Sequence, residues 1–324
     1  MTVLRDKINT DARAPPFMEL SDGSANSKTA PPAALDSALS PDERAKFRFG
    51  VKGNAIVTGG GGDIGSVACR ALLEHGLQGL AIFDIHPEVS QNIIEKLQIE
   101  FPKANITFFP VNVTDDAAIA AAVTQVEALF GSIDIVLCFA GITHSVHAMD
   151  LLVKDWRKMF EVNTTGAWLV AQAAARSMAV KGNGGSIVLM ASVSAHVANF
   201  PQPQVHYNAS KAALISAKSS LAAEWAKYGI RVNTISPGYI DTILNEGDTL
   251  ELHRRAWVAR LPYGRMGKPE ELTGAVILLC SLAGSYITGA DILVDGDVFM
   301  TPDFGLTRNI DRSLEIEEER GYLV

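Results

Sequence analysis

From Lys52 onward, short apolar runs alternate with amphipathic stretches, and this alternation leaves the chain few folds. The runs are Asn54–Val57, Leu80–Phe83, Ile106–Val111, Ile133–Phe139, Gly185–Met190, Arg231–Ile235 and Ile292–Val294. Helical periodicity fills the intervals 64–75, 88–100, 116–129, 155–180, 208–228 and 269–283. A hairpin turn cannot join two parallel strands; the crossover needs a dozen or more residues, usually a helix. Seven runs separated by helices therefore predict an α/β chain, a single doubly wound domain with a seven-stranded parallel sheet and right-handed crossovers.

The expected limits of that domain are 51–300, with no internal repeat and no second core. Residues 1–50 are rich in Pro, Ala, Ser and Asp, including Pro15-Pro16 and Pro31-Pro32, and read as a flexible arm. Within the arm, Asp42 to Phe49 is expected to form one helical turn, and an arm that wraps a neighbouring subunit is a functional alternative. Residues 301–324, with the acidic run Glu315-Ile-Glu-Glu-Glu319, read as a solvated tail.

Composition removes several functional classes. A net charge of -8 opposes a broad electrostatic footprint for nucleic acid or an anionic membrane. Cys69, Cys138 and Cys280 are far apart and lack CxxC spacing, so neither a disulfide framework nor a Cys-rich zinc site is expected. A reducing, cytoplasmic location follows from that cysteine usage, and no apolar run has the length of a membrane span. His144 and His147 have i, i+3 spacing but no evident third ligand, so no metal site is expected. Trp156, Trp168, Trp225 and Trp257 read as helix-packing residues, with Trp257 alternatively on a lid over the substrate.

The first run ends in Thr58-Gly-Gly-Gly-Gly-Asp-Ile-Gly65 and then opens a helix. Such a turn lets backbone N–H groups approach a pyrophosphate, helped by the dipole of the helix N-terminus. The second run ends in Asp84, about 20 residues after the glycines, where a carboxylate accepts from a ribose hydroxyl and repels a 2′-phosphate. No Arg or Lys lies between Gly59 and Ser66 or directly follows Asp84, so NAD is expected in preference to NADP.

Tyr207-Asn-Ala-Ser-Lys211 places Tyr207 and Lys211 on one helix face. A neighbouring ammonium favours the phenolate, which suits Tyr207 to proton transfer with an alcohol or carbonyl. Ser192 closes the preceding run, 15 residues before Tyr207, and Ser194 is its rival for the same role. A serine there would orient the substrate oxygen and share its developing charge.

Taken in order, these motifs resemble the short-chain dehydrogenase/reductase family over roughly residues 52–299. Thr58, Gly59 and Gly65 match its T-G-x-x-x-G-x-G loop, while Asp63, next to Ile64, replaces the middle glycine and is a candidate helix cap. Asn112-Val113 resembles the family's Asp-Val step beside adenine, and Cys138-Phe-Ala140-Gly141 its N-N-A-G step with both asparagines lost. Asn163, in Glu161-Val-Asn-Thr-Thr-Gly166, resembles the asparagine that holds a water leading to the catalytic lysine. Pro237-Gly238-Tyr-Ile240-Asp-Thr242 resembles the step that holds the nicotinamide carboxamide, through the Ile240 backbone and the Thr242 hydroxyl. The resemblance implies a Rossmann-like domain, a catalytic set of Asn163, Ser192, Tyr207 and Lys211, and a homo-oligomer, tetramer or dimer, with helices 116–129 and 155–180 at an interface. Residues 243–264 would form a mobile lid.

The implied activity is hydride transfer between NAD and a secondary alcohol or ketone. The stretch Ser192 to Gln204 resembles the polyol branch, which includes mannitol dehydrogenases and sorbose reductases. Two alternatives stand beside a polyol or ketose substrate. One is a hydrophobic metabolite, lipid or steroid-like ketone under an apolar lid of Ile243, Leu244, Leu250, Leu252, Trp257 and Leu261. The other is an NAD-binding scaffold or sensor without turnover.

Overall fold

The computed structural model describes residues 16–245 and 250–297. Seven strands, β1 (Asn54–Thr58), β2 (Gly79–Asp84), β3 (Asn105–Pro110), β4 (Ile135–Cys138), β5 (Gly185–Met190), β6 (Ile230–Pro237) and β7 (Asp291–Val294), form one sheet. Its order is β3-β2-β1-β4-β5-β6-β7, with every pairing parallel. The order reverses between β1 and β4, and in open α/β sheets ligands bind outside the strand C-termini at that reversal.

The helices are α1 (Pro41–Phe49), α2 (Asp63–Glu74), α3 (Pro87–Glu100), α4 (Asp116–Phe130), α5 (Val153–Phe160), α6 (Ala167–Lys181), α7 (Val205–Trp225), α8 (Glu251–Ala259) and α9 (Thr273–Cys280). Central strands are buried on both faces, which explains their continuous apolar runs. Successive side chains point to opposite layers. Ile56 joins Val126, Val170 and Leu214 on one face, whereas Ala55 and Val57 join Leu72, Leu97 and Val276 on the other.

Local chemistry sets the ends of these elements. Ser40 and Glu43 form a reciprocal capping box on α1, with Pro41 at its first position, so the segment makes a nine-residue helix instead of one turn. Asp115 caps α4 by accepting from the Ala118 N–H at 2.9 Å. The long helix expected over 155–180 is divided: α5 and α6 flank a π-helical turn, Glu161–Gly166, centred on Asn163. Helix α7 starts at Val205, which puts Tyr207 in its first turn. The three cysteines are free and buried, and burial pushes the Cys138 and Cys280 thiols up to about 12.

Candidate active site

The loop from β1 to α2 turns on two glycines, Gly59 and Gly65, where a side chain would meet backbone. Gly59 is left-handed, at φ +67°, and a Cβ on it would lie 2.9 Å from the Ala140 main chain. A Cβ on Gly65 would run into the Gly59 carbonyl. These contacts seat α2 against β1 and β4 at the switch point. By helix geometry, the N–H groups of Asp63, Ile64 and Gly65 lack partners within α2 and form an anion site.

Thr58 fastens the loop: its hydroxyl accepts from the N–H groups of Phe139 (3.0 Å) and Ala140 (3.1 Å). Asp84, at the end of β2, accepts from Gly61 N through Oδ2 (3.0 Å) and from His86 N through Oδ1 (3.1 Å). The carboxylate is thereby fixed beside the glycine turn. Asn112 spends its acceptor oxygen on the Thr114 N–H and hydroxyl, while buried Val113 packs where Gly166 lacks a side chain. Asp63 does not cap α2: Gly62 is the cap residue, and Asp63 Oδ2 accepts instead from the Ile243 N–H at 2.8 Å.

Beyond the C-terminal end of β5, Ser192, Tyr207 and Lys211 come together. Lys211 is 4% exposed, and its ammonium donates to the Met190 carbonyl at 2.7 Å. Its Nζ lies 5.7 Å from the Tyr207 ring centroid. Burial pushes Lys211 down to about 8. The sequence-based expectation of a lowered Tyr207 pKa is corrected here. Burial raises it, and the hydrogen-bonded Ser192 hydroxyl opposes that rise. In this arrangement the lysine charge is directed at a carbonyl.

Asn163 is buried and clamps the loop after β4. Its Oδ1 accepts from Ile142 N (2.8 Å), and its Nδ2 donates to Ile142 O (2.9 Å) and Ser210 Oγ (3.1 Å). A Cβ on Gly141 would meet Asn163 Oδ1 at 3.2 Å and Lys211 Nζ at 3.5 Å, so all three residues front one space. On the other flank, Gly238 packs against the Asp295 main chain, Pro237 ends β6, and Ile240 and Thr242 are buried.

A network of amides surrounds the serine. Ser192 Oγ donates to Ser194 Oγ at 3.0 Å, and Ser194 Oγ also accepts from buried Gln204 at 3.2 Å. Gln204 also donates to Asn199 (3.0 Å) and Asn208 (3.1 Å). Asn199 and Gln202 donate to the Tyr239 hydroxyl at 3.2 and 3.3 Å. Trp257 of α8 stacks on Tyr239, with ring centroids 4.7 Å apart, and its indole N–H donates to Gln202 at 2.8 Å.

A family model described as Enoyl-(Acyl carrier protein) reductase matches residues 61–297. The chain is 38% identical over 251 residues to an NADP-dependent mannitol dehydrogenase from Hypocrea jecorina, covering 76% of this chain and 93% of that protein. It is 36% identical to an NADH-dependent L-xylulose reductase from Ambrosiozyma monospora, covering 74% and 93%. A short-chain type dehydrogenase/reductase from Mycobacterium marinum superposes with a TM-score of 0.74 at 36% identity, over 78% of this chain and 98% of that one.

The chain belongs to the short-chain dehydrogenase/reductase family. It is an oxidoreductase acting on CH–OH groups, interconverting an alcohol and a ketone with a nicotinamide dinucleotide. The dinucleotide suits the residues present: orphan N–H groups at the start of α2, a turn with no side chains to obstruct it, and a fixed carboxylate at Asp84.

Some features of this short-chain dehydrogenase/reductase were not foreseen from sequence. The roles of Gln202, Gln204, Asn199 and Tyr239 emerge only from folding, although the first two and Asn199 lie in the Ser192 to Gln204 stretch that stands out in the sequence. Of the tryptophans expected to pack helices, Trp156 stacks on Phe160 of its own helix at 5.2 Å between centroids, Trp225 packs against the core, Trp257 is buried, and Trp168 is 40% exposed. Of the expected apolar lid, Ile243 and Leu252 are exposed, Trp257 and Leu261 are buried, and the Leu244 side chain and residues 246–249 lie outside the described residues. His144 packs edge-on against buried His206, at 5.7 Å between ring centroids.

Proposed function

We propose that this protein is an NAD-preferring dehydrogenase/reductase of a polyol and its ketose. The observation that carries the reading is the convergence of Ser192, Tyr207 and Lys211 beside the β1–β4 switch point. Ser192 hydrogen-bonds the substrate oxygen. Tyr207 takes the hydroxyl proton in oxidation and returns it in reduction. Buried Lys211 stabilises the tyrosinate as that charge develops. The bound nicotinamide supplies the hydride acceptor or donor. Asn163, through Ile142, keeps the β4 loop pressed against Lys211.

Asp84 supports NAD: both its oxygens are already held by backbone N–H groups, so the charge cannot swing away from a 2′-phosphate. A hydrophilic substrate is favoured by the amide-rich wall behind Ser192 and by the names of the relatives, a mannitol dehydrogenase and an L-xylulose reductase. The hydrophobic-ketone alternative has less support, because the expected apolar lid is split between exposed and buried residues. A homo-oligomer is part of the same reading, supported by the exposed Trp156, Leu152 and Val153 at α5 and Trp168 on α6. The cysteine usage supports a cytoplasmic location.

Calorimetry with NADH and NADPH, followed by a polyol and ketose turnover screen, tests this. NADH should bind at least about tenfold tighter than NADPH. Tighter NADPH binding overturns the cofactor assignment. Turnover of hydrophobic ketones without turnover of any polyol overturns the substrate class.

A further inference from the structure

Asp63 stands where the family's loop motif has a glycine, and its side chain is engaged away from its own helix. The carboxylate crosses 180 residues of sequence to accept the Ile243 N–H at 2.8 Å. Ile243 directly follows buried Thr242 and opens the short turn Ile243–Asn245. That turn is held from its other side by Arg254 of α8, which donates to the Asn245 carbonyl and to Asp241, both at 2.8 Å. Thus Asp63 ties the phosphate loop to the segment that carries Thr242 and leads toward α8.

The same carboxylate is a fixed negative charge on the first residue of α2, next to the orphan N–H groups that suit a diphosphate. Its two effects on cofactor binding have opposite signs. The bond to Ile243 holds the Thr242 segment in place, whereas the charge repels the diphosphate. We propose that Asp63 is an affinity-setting latch: its hydrogen bond organises the Thr242 segment for the dinucleotide while its charge weakens binding of the diphosphate. This rests on the dinucleotide-binding reading above.

The test measures NADH dissociation constants by fluorescence titration for wild type, Asp63→Asn and Asp63→Ala, at low salt and at 1 M salt. Asparagine keeps an acceptor for Ile243 N–H and removes the charge. At low salt Asp63→Asn should bind NADH about three- to tenfold tighter than wild type, and the difference should vanish at 1 M salt, where the screening length is about 3 Å. Asp63→Ala loses charge and bond together, so it should bind more weakly than Asp63→Asn at both salt levels. An Asp63→Asn affinity equal to or below wild type at low salt overturns the electrostatic half. Equal affinities for the alanine and asparagine variants overturn the latch. Failure of wild type to bind NADH at all defeats the dinucleotide reading and this inference with it, and is distinct from either variant result.

Discussion

Tyr207 and Lys211 show how far one residue pair can be read from sequence. Their spacing places them on one helix face, but the sign of the Tyr207 shift is reversed, because burial cannot be read from a five-residue motif. Tyr207→Phe should lower kcat by about 10²- to 10⁴-fold and leave NADH affinity within about twofold, since only the proton-carrying oxygen is lost. Steady-state kinetics with a binding titration check this. Lys211 makes a second prediction, about stability. Burial lowers its pKa to about 8 from an ordinary value of 10.5. Below pH 8 the amine is protonated in both folded and unfolded chains, so the fold bears the whole cost of burying the charge. Between the two values the folded chain sheds the proton while the unfolded chain keeps it, so stability rises with pH. Lys211→Met should therefore abolish activity yet stabilise the protein at pH 7. The gain should be about 1–2 kcal/mol after losing the Met190 hydrogen bond, or about 2–5 °C in Tm. That advantage should shrink between pH 8 and 10. A variant that melts below wild type at pH 7 would contradict the argument.

At the scale of elements, strands were legible because a buried parallel sheet needs uninterrupted apolar runs, as Ile135–Cys138 shows. The π-turn at Glu161–Gly166 was not legible, because its cause is tertiary: Asn163 bonds Ile142 and Ser210, from a loop and a helix far away in sequence. Asn163→Ala leaves the Ile142 N–H without its side-chain partner. It should cost about 2–4 kcal/mol and lower Tm by several degrees, with kcat falling alongside as Gly141 shifts against Lys211. The amide network behaves as a second tertiary element, linking Ser192 through Ser194 and Gln204 toward Tyr239 and α8. Gln204→Leu preserves volume but leaves the Asn199 and Asn208 carbonyl oxygens without this donor and Ser194 with Ser192 alone. We expect kcat on a polyol to fall about tenfold while NADH affinity is kept, because the change acts on serine placement and not on the cofactor groove. A loss confined to NADH binding would assign Gln204 elsewhere.

Across the whole molecule, the order of strands follows from where the glycine loop sits. Because β1 is central, its C-terminal end meets the reversal of winding, and β4, β5 and β6 bring Gly141, Ser192 and Thr242 to the same edge. The described part of the arm takes no part in this edge. Among its described residues, 16–50, none is buried, and even α1 places no side chain in the core. Among the described residues, a polar tie of the arm to the domain is the Glu19–Lys227 pair at 2.7 Å, with Glu19 largely exposed, and such pairs contribute little because water screens them. Lys227 lies in the turn before β6, whose N-terminal end is opposite the site. We therefore expect a chain lacking residues 1–36 to keep its NADH affinity and kcat within about twofold, and its Tm within about 3 °C of the full chain. Ionic strength should scarcely alter that small difference. A large fall in Tm on truncation, together with a change in sedimentation to a smaller species, would instead show the arm wrapping a neighbouring subunit. A fall in kcat without either change would place the arm over the substrate side, against the geometry.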